Sequence, residues 1–148
     1  MLRSHIFILA ALIGSVVLLG SWSTRVKPDT SNPPTQELTP PSELALLMRS
    51  MAAHADSVKA RVTSGAALPP RPKEFKRLLK AEPTKGMHID PITFPTFGKD
   101  YLSKLDKLYQ VPKAERTQAY NALVQSCANC HGTHCPGPLM RIKNMYAR

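Results

Sequence analysis

Acidic side chains are scarce in this chain: ten Asp and Glu stand against 20 Lys and Arg, a formal charge of +10 over 148 residues. The eight acids within residues 42–148 are dispersed, so no paired carboxylates are set up for general acid–base chemistry. A nucleophile constellation and a glycine-rich phosphate loop are missing as well, and no enzyme is expected. Aromatic residues make up only 6% and do not interleave with the basic ones, which argues against a nucleic-acid partner. Alternating runs rich in β-branched residues are nearly absent, leaving an all-α class. No internal repeat is visible. A scattered positive surface favours acidic protein partners.

The long apolar run is short for a membrane span. "IFILAALIGSVVLLG", Ile6 to Gly20, is 15 residues long and follows Arg3. That length suits the apolar region of a secretory signal better than the roughly 20 residues of a comfortable span. With Trp22 as an interfacial anchor, residues 2–22 would serve equally as an uncleaved membrane tether. Residues 1–22 are therefore a signal peptide or an anchor, and either delivers the remainder across a membrane. No cysteine ends the run, so no lipid attaches there. Residues 23–41 contain "KPDTSNPPTQELTPP", whose five prolines and polar spacers make an extended linker. The folded domain is expected over residues 42–148.

Within that domain Ser42 reads as the N-cap of a first helix. Leu44, Leu47, Met48, Met51, Ala55, Val58 and Val62 recur at three- and four-residue steps, and Ser64-Gly65 ends the stripe. A short helix is expected around Pro72 to Ala81, then a loop over "TKGMHIDPITFPT". A third helix should begin near Thr96, turn Phe97, Tyr101, Leu105 and Leu108 inward, and break at Val111-Pro112. Pro112 suits the first turn of a fourth helix. That helix carries Tyr120, Val124, Cys127 and His131 on one face, with Leu123 and Cys130 beside them. Gly132 is the expected stop, and "LMRIKNMYAR" a last short helix.

All three cysteines fall in "SCANCHGTHC", Ser126 to Cys135. "CANCH" is C-x-x-C-H, the attachment signature of haem c. Cys127 and Cys130 lie about one helical turn apart, so both thiols can meet the two vinyl groups on one porphyrin edge. His131 follows directly and can ligate the iron from the proximal side. A thioredoxin-like dithiol would need a strand before it and a helix start around it, and has neither. A zinc site drawn from Cys127, Cys130, His131 or His134, and Cys135 would compress its ligands into nine residues, and a Cys127–Cys130 disulfide would leave His131 without a role. One covalent haem c is the reading carried forward, with these haem-free modules as alternatives. It fits export to the periplasm, soluble or tethered to the inner membrane.

Only 17 residues follow His131, too few to wrap a haem and return Met140 or Met145 to its far face. The motif at the end of the fourth helix instead resembles the class II c-type cytochromes, the cytochrome c-prime family, over residues 42–148. The resemblance implies an antiparallel four-helix bundle whose first helix covers the distal side of the haem. It implies an electron carrier if a methionine of that helix reaches the iron, and a high-spin, gas-binding or sensing protein if the sixth position stays open. Laid on the family's pattern, Met48 takes the distal ligand position, with Met51 the alternative; His54 and His88 are remoter candidates. A homodimer through the first helices is a further possibility within the family. Cys135 departs from the pattern, as either a small core residue or a reactive thiol. Pro136-Gly137-Pro138 would turn the tail back across the haem, where Arg141 and Lys143 could pair with a propionate.

Overall fold

Ser42 begins the architecture as its sequence position implies. Its Oγ accepts the backbone N–H of Ala45 at 3.1 Å, capping helix α1, Glu43–Ser64. Gly65 closes the helix at φ 67, a left-handed conformation that glycine adopts without a Cβ penalty. This computed structural model describes residues 40–148. The expected targeting segment at 1–22 and nearly all of the 23–41 linker lie outside the described residues. Leu44, Leu47, Met51, Ala55 and Val58 of α1 are buried, as the stripe requires.

The described residues are helical, with no strand among them. After α1 the chain crosses back through a six-residue 3₁₀ segment, Glu74–Leu79, in place of the expected Pro72–Ala81 helix. Three residues per turn put Phe75 and Leu78 on the same side, and both are buried. Prolines at 69, 70, 72 and 83 keep this return from growing into a long helix.

Helix α2, Thr93–Gln110, starts three residues earlier than the periodicity suggests. Asp90 is the reason. Its carboxylate accepts the N–H groups of Ile92 at 3.0 Å and Thr93 at 2.7 Å, satisfying donors that a helix start leaves open. Pro95 then falls in the first turn, where its missing N–H costs nothing. "DPITFPT" is thus a capped helix start and not a loop. Tyr101, Leu105 and Leu108 face inward as expected, while Phe97 is only half-buried.

Pro112 precedes a 3₁₀ turn, Lys113–Glu115, and does not itself enter helix α3, Arg116–His134. The short Val111–Glu115 connection folds α2 and α3 into an antiparallel pair. The start of α1 lies beside the end of α3, so these two are antiparallel as well. Helix α4, Leu139–Lys143, begins the tail. Tyr120 Oη donates to Met145 O at 2.8 Å, and Asn121 exchanges two hydrogen bonds with Ala147 at 2.9 Å each. Ile142, Met145 and Ala147 are buried by this docking. No helix among the described residues is long and apolar enough to cross a membrane.

The N-cap gives a first prediction. Ser42 Oγ also lies 3.1 Å from Thr84 Oγ1, tying the return segment to α1. Ser42→Ala is expected to lower unfolding free energy by about 1 kcal/mol in a urea titration; no change would dismiss the cap.

His54 gives a second. Tyr109 Oη donates to Pro69 O at 2.8 Å, so His54 Nε2–H donates to Tyr109 Oη at 3.1 Å. Burial holds the imidazole below its ordinary 6.5, with Glu74 pulling weakly upward. The unfolded chain therefore takes up this proton at higher pH than the folded one. Stability from the neutral ring is fully present above the unfolded value and lost as the pH falls through the folded one. His54→Gln should flatten the slope of unfolding free energy between about pH 7 and 5.

Candidate functional site

Helix α3 carries Cys127, Cys130 and His131 within one continuous helical stretch. It runs through Gly132 to His134, so the glycine is not the stop. The stop is Pro136: Cys135 N–H still bonds His131 O at 3.2 Å, but Cys135 itself is extended, at φ −154 and ψ 80, as a residue before proline prefers. This extra turn matters for His131. Its Nδ1 lies 2.9 Å from Cys135 O. A carbonyl can only accept, so Nδ1 carries the proton and Nε2 keeps its lone pair for a metal.

Three adjoining cavities surround this histidine. The first, about 270 Å³, lies between the start of α1, the Thr84–Ile89 segment and the end of α3, and presents Cys130. The second, about 220 Å³, lies between the middle of α1 and the tail, and presents Cys127. A narrow space of about 30 Å³, reaching Phe97 and Tyr101, has both cysteines on its wall. Met48 and His131 line all three. Met51 lines only the second and third, and is 7% exposed, packed into the core. Met48 is partly buried. Both methionines thus reach the cavities, but Met48 is the one shared throughout with the histidine.

The thiols are held as neutral groups. Burial pushes Cys127 up to about 12, assisted by Cys130, and its Sγ–H points to Leu123 O at 3.5 Å. Burial also raises Cys130, with Cys135 adding to the shift. A redox dithiol needs the opposite, a thiolate favoured by its surroundings. All three cysteines are unpaired. Among the described residues no three His, Cys, Asp or Glu side chains converge in a way that would hold a metal ion. Cys135 is half-buried and lines the first cavity beside Cys130.

The remaining candidates are placed elsewhere. His54 is engaged with Tyr109 and packs edge-on to Phe75, and His88 is exposed in the return segment; neither lines these cavities. Met140 is 69% exposed, whereas Met145 is buried and lines the second cavity. Arg141 also lines that cavity, but its guanidinium reaches Asp56 of α1 at 2.6 Å. Lys143 lines none of the three.

Several lining residues escaped the sequence reading. Arg49 lines both larger cavities because it follows Met48 on α1, off the apolar stripe. Phe94 lines the first and third because α2 starts early. Phe94 and Phe97 meet the His134 ring edge-on, at 6.1 and 5.6 Å between centroids. Thr93 Oγ1 donates to Asp90 at 2.8 Å, so His134 Nε2–H donates to Thr93 at 3.2 Å. The same contacts hold the Asp90 carboxyl below the usual carboxylate range, the Thr93 N–H foremost. "DP" before an apolar run was the available signal for this cluster. Comparison with protein-family models, with curated proteins and with solved structures gives no match for this chain.

Proposed function

We propose that this protein is a monohaem c-type cytochrome that carries single electrons, with Cys127 and Cys130 as thioether attachment points, His131 as proximal ligand and Met48 as distal ligand. One observation carries the reading. Cys130 opens on one apolar cavity and Cys127 on its neighbour, while His131 and Met48 line both. A flat, largely apolar group bridging the two would have a thiol for each attachment, and an imidazole and a thioether among the walls it shares.

The residues present suit haem c chemically. Haem c, when bound there, supplies a one-electron iron couple whose ferrous state a thioether–imidazole pair stabilises. His131 presents Nε2 because Cys135 O holds the Nδ1 proton, which fixes both tautomer and ring orientation. Leu44, Met87, Ile89 and Phe94 give one cavity apolar walls, and Leu123, Val124 and Ile142 the other. Neutral, partly buried thiols and the lack of three converging His, Cys, Asp or Glu side chains among the described residues give the disulfide and zinc readings less support.

The finer architecture belongs to the same proposal. Three long helices, with the Glu74–Leu79 return standing where a second helix would run, are the frame for a class II four-helix-bundle reading. Residues 1–22 deliver or tether the domain in the periplasm, and its positive surface meets acidic redox partners.

The test is the visible spectrum of full-length protein exported alongside a haem-attachment machinery. Covalent haem staining on a denaturing gel, with sharp reduced α and β bands unmoved by carbon monoxide, is expected. A broad band that shifts with carbon monoxide would give the gas-binding alternative. Colourless protein with both Cys127 and Cys130 open to alkylation would end the haem reading.

A further inference from the structure

At the opposite end of the molecule, Arg61 near the end of α1 and Lys113 and Arg116 before and at the start of α3 line a concavity of about 460 Å³. It lies about 22 Å along α3 from His131, fifteen residues at 1.5 Å each. Its remaining walls are Val62, Gly65, Ala66 and Ala114, with no Asp or Glu. Among the described residues none of the three cations pairs with a carboxylate.

Two details show that these charges are seated. Gly65 has φ 67, and the position its Cβ would take lies 3.2 Å from both Cε and Nζ of Lys113. The lysine thus lies down on the bend that ends α1. Arg116 Nε is shielded from solvent and has no hydrogen-bond partner. Converging like charges repel, and a shielded donor without a partner costs free energy. An anion in the concavity would relieve both.

We infer that this concavity binds a phosphate group. Two guanidinium forks and one ammonium, drawn from two helix ends, supply more donors than a flat carboxylate can accept, and suit a tetrahedral oxyanion. The alanines and Val62 leave an apolar floor for a small organic substituent. The phosphate comes either free or as the diester of a lipid headgroup, and the two are separable.

Full-length protein is titrated calorimetrically with inorganic phosphate and, separately, with glycerophosphoglycerol, at ionic strength held constant with chloride. Saturable one-site binding is expected, weakened tenfold or more in Lys113→Gln and in Arg61→Gln. Both side chains are exposed, so these variants keep the test usable if Arg116→Gln fails to fold. Binding of inorganic phosphate assigns the free ion. Binding of the diester alone assigns a headgroup. No binding of either beyond the chloride reference overturns the inference, as does undiminished binding in both variants. None of these readouts depends on haem.

Discussion

On the proposed haem ligation, Met48→Ala is expected to turn a sharp, carbon-monoxide-insensitive reduced spectrum into a broad high-spin one that shifts with the gas. The midpoint potential should fall with it, because the thioether that favours ferrous iron is gone. The side chain is partly buried and lines every cavity beside His131, so its truncation opens space in those cavities and little elsewhere. Met51→Ala is the control with the opposite signature. Met51 is buried against the core, and its loss should cost about 2–4 kcal/mol in stability while the sharp bands persist. If Met51→Ala gives the high-spin spectrum and Met48→Ala does not, the ligand assignment reverses. If neither alters the spectrum, a methionine sixth ligand from α1 is excluded.

Leu105→Ala should be a strongly destabilising truncation on α2. The side chain has 0% exposure and belongs to the core formed with α1, the 3₁₀ segment and α3. Removing three buried carbons loses their transfer free energy and leaves a cavity that helices tied at both ends can only partly close. About 3 kcal/mol is expected from these two terms. For a domain of this size that is a fall in thermal midpoint of about 10 °C or more. Chemical denaturation and a thermal scan of the full-length protein read it directly. A loss under about 1 kcal/mol would mean that the helix interface is loosely packed.

The domain's local elements were legible where chemistry is local. Ser42 after two prolines, the apolar stripe to Val62, and Gly65 at its end specify α1 without reference to anything distant. Tyr101, Leu105 and Leu108 mark the buried face of α2 in the same way. The misreadings were competitions between neighbours. Proline in "ITFPT" looked like a breaker but sits in a first turn, because Asp90 supplies the cap. Gly132 looked like a terminator, yet a glycine with nothing demanding a left-handed turn simply continues the helix, and Pro136 ends it. The return segment carries a helical pattern in Phe75 and Leu78, but the surrounding prolines limit it to one 3₁₀ stretch.

The sequence by itself determined that two cysteines and a histidine occupy one stretch of helix, since the apolar periodicity through Tyr120 and Val124 runs on to Cys127 and His131. It also placed two methionines on one stripe, but could not separate them. Residues three apart are about 60° apart around a helix, and a core-facing stripe is more than 100° wide. Only tertiary packing buried Met51 more deeply in the core and put Met48 alone of the two on the first cavity as well as the other two. Tertiary structure likewise engaged Arg141 with Asp56 on α1, 85 positions away in sequence, and gathered Arg61, Lys113 and Arg116 at the far end. Local spacing encodes which face of a helix is apolar; what that face meets depends on chain crossings that no local pattern contains.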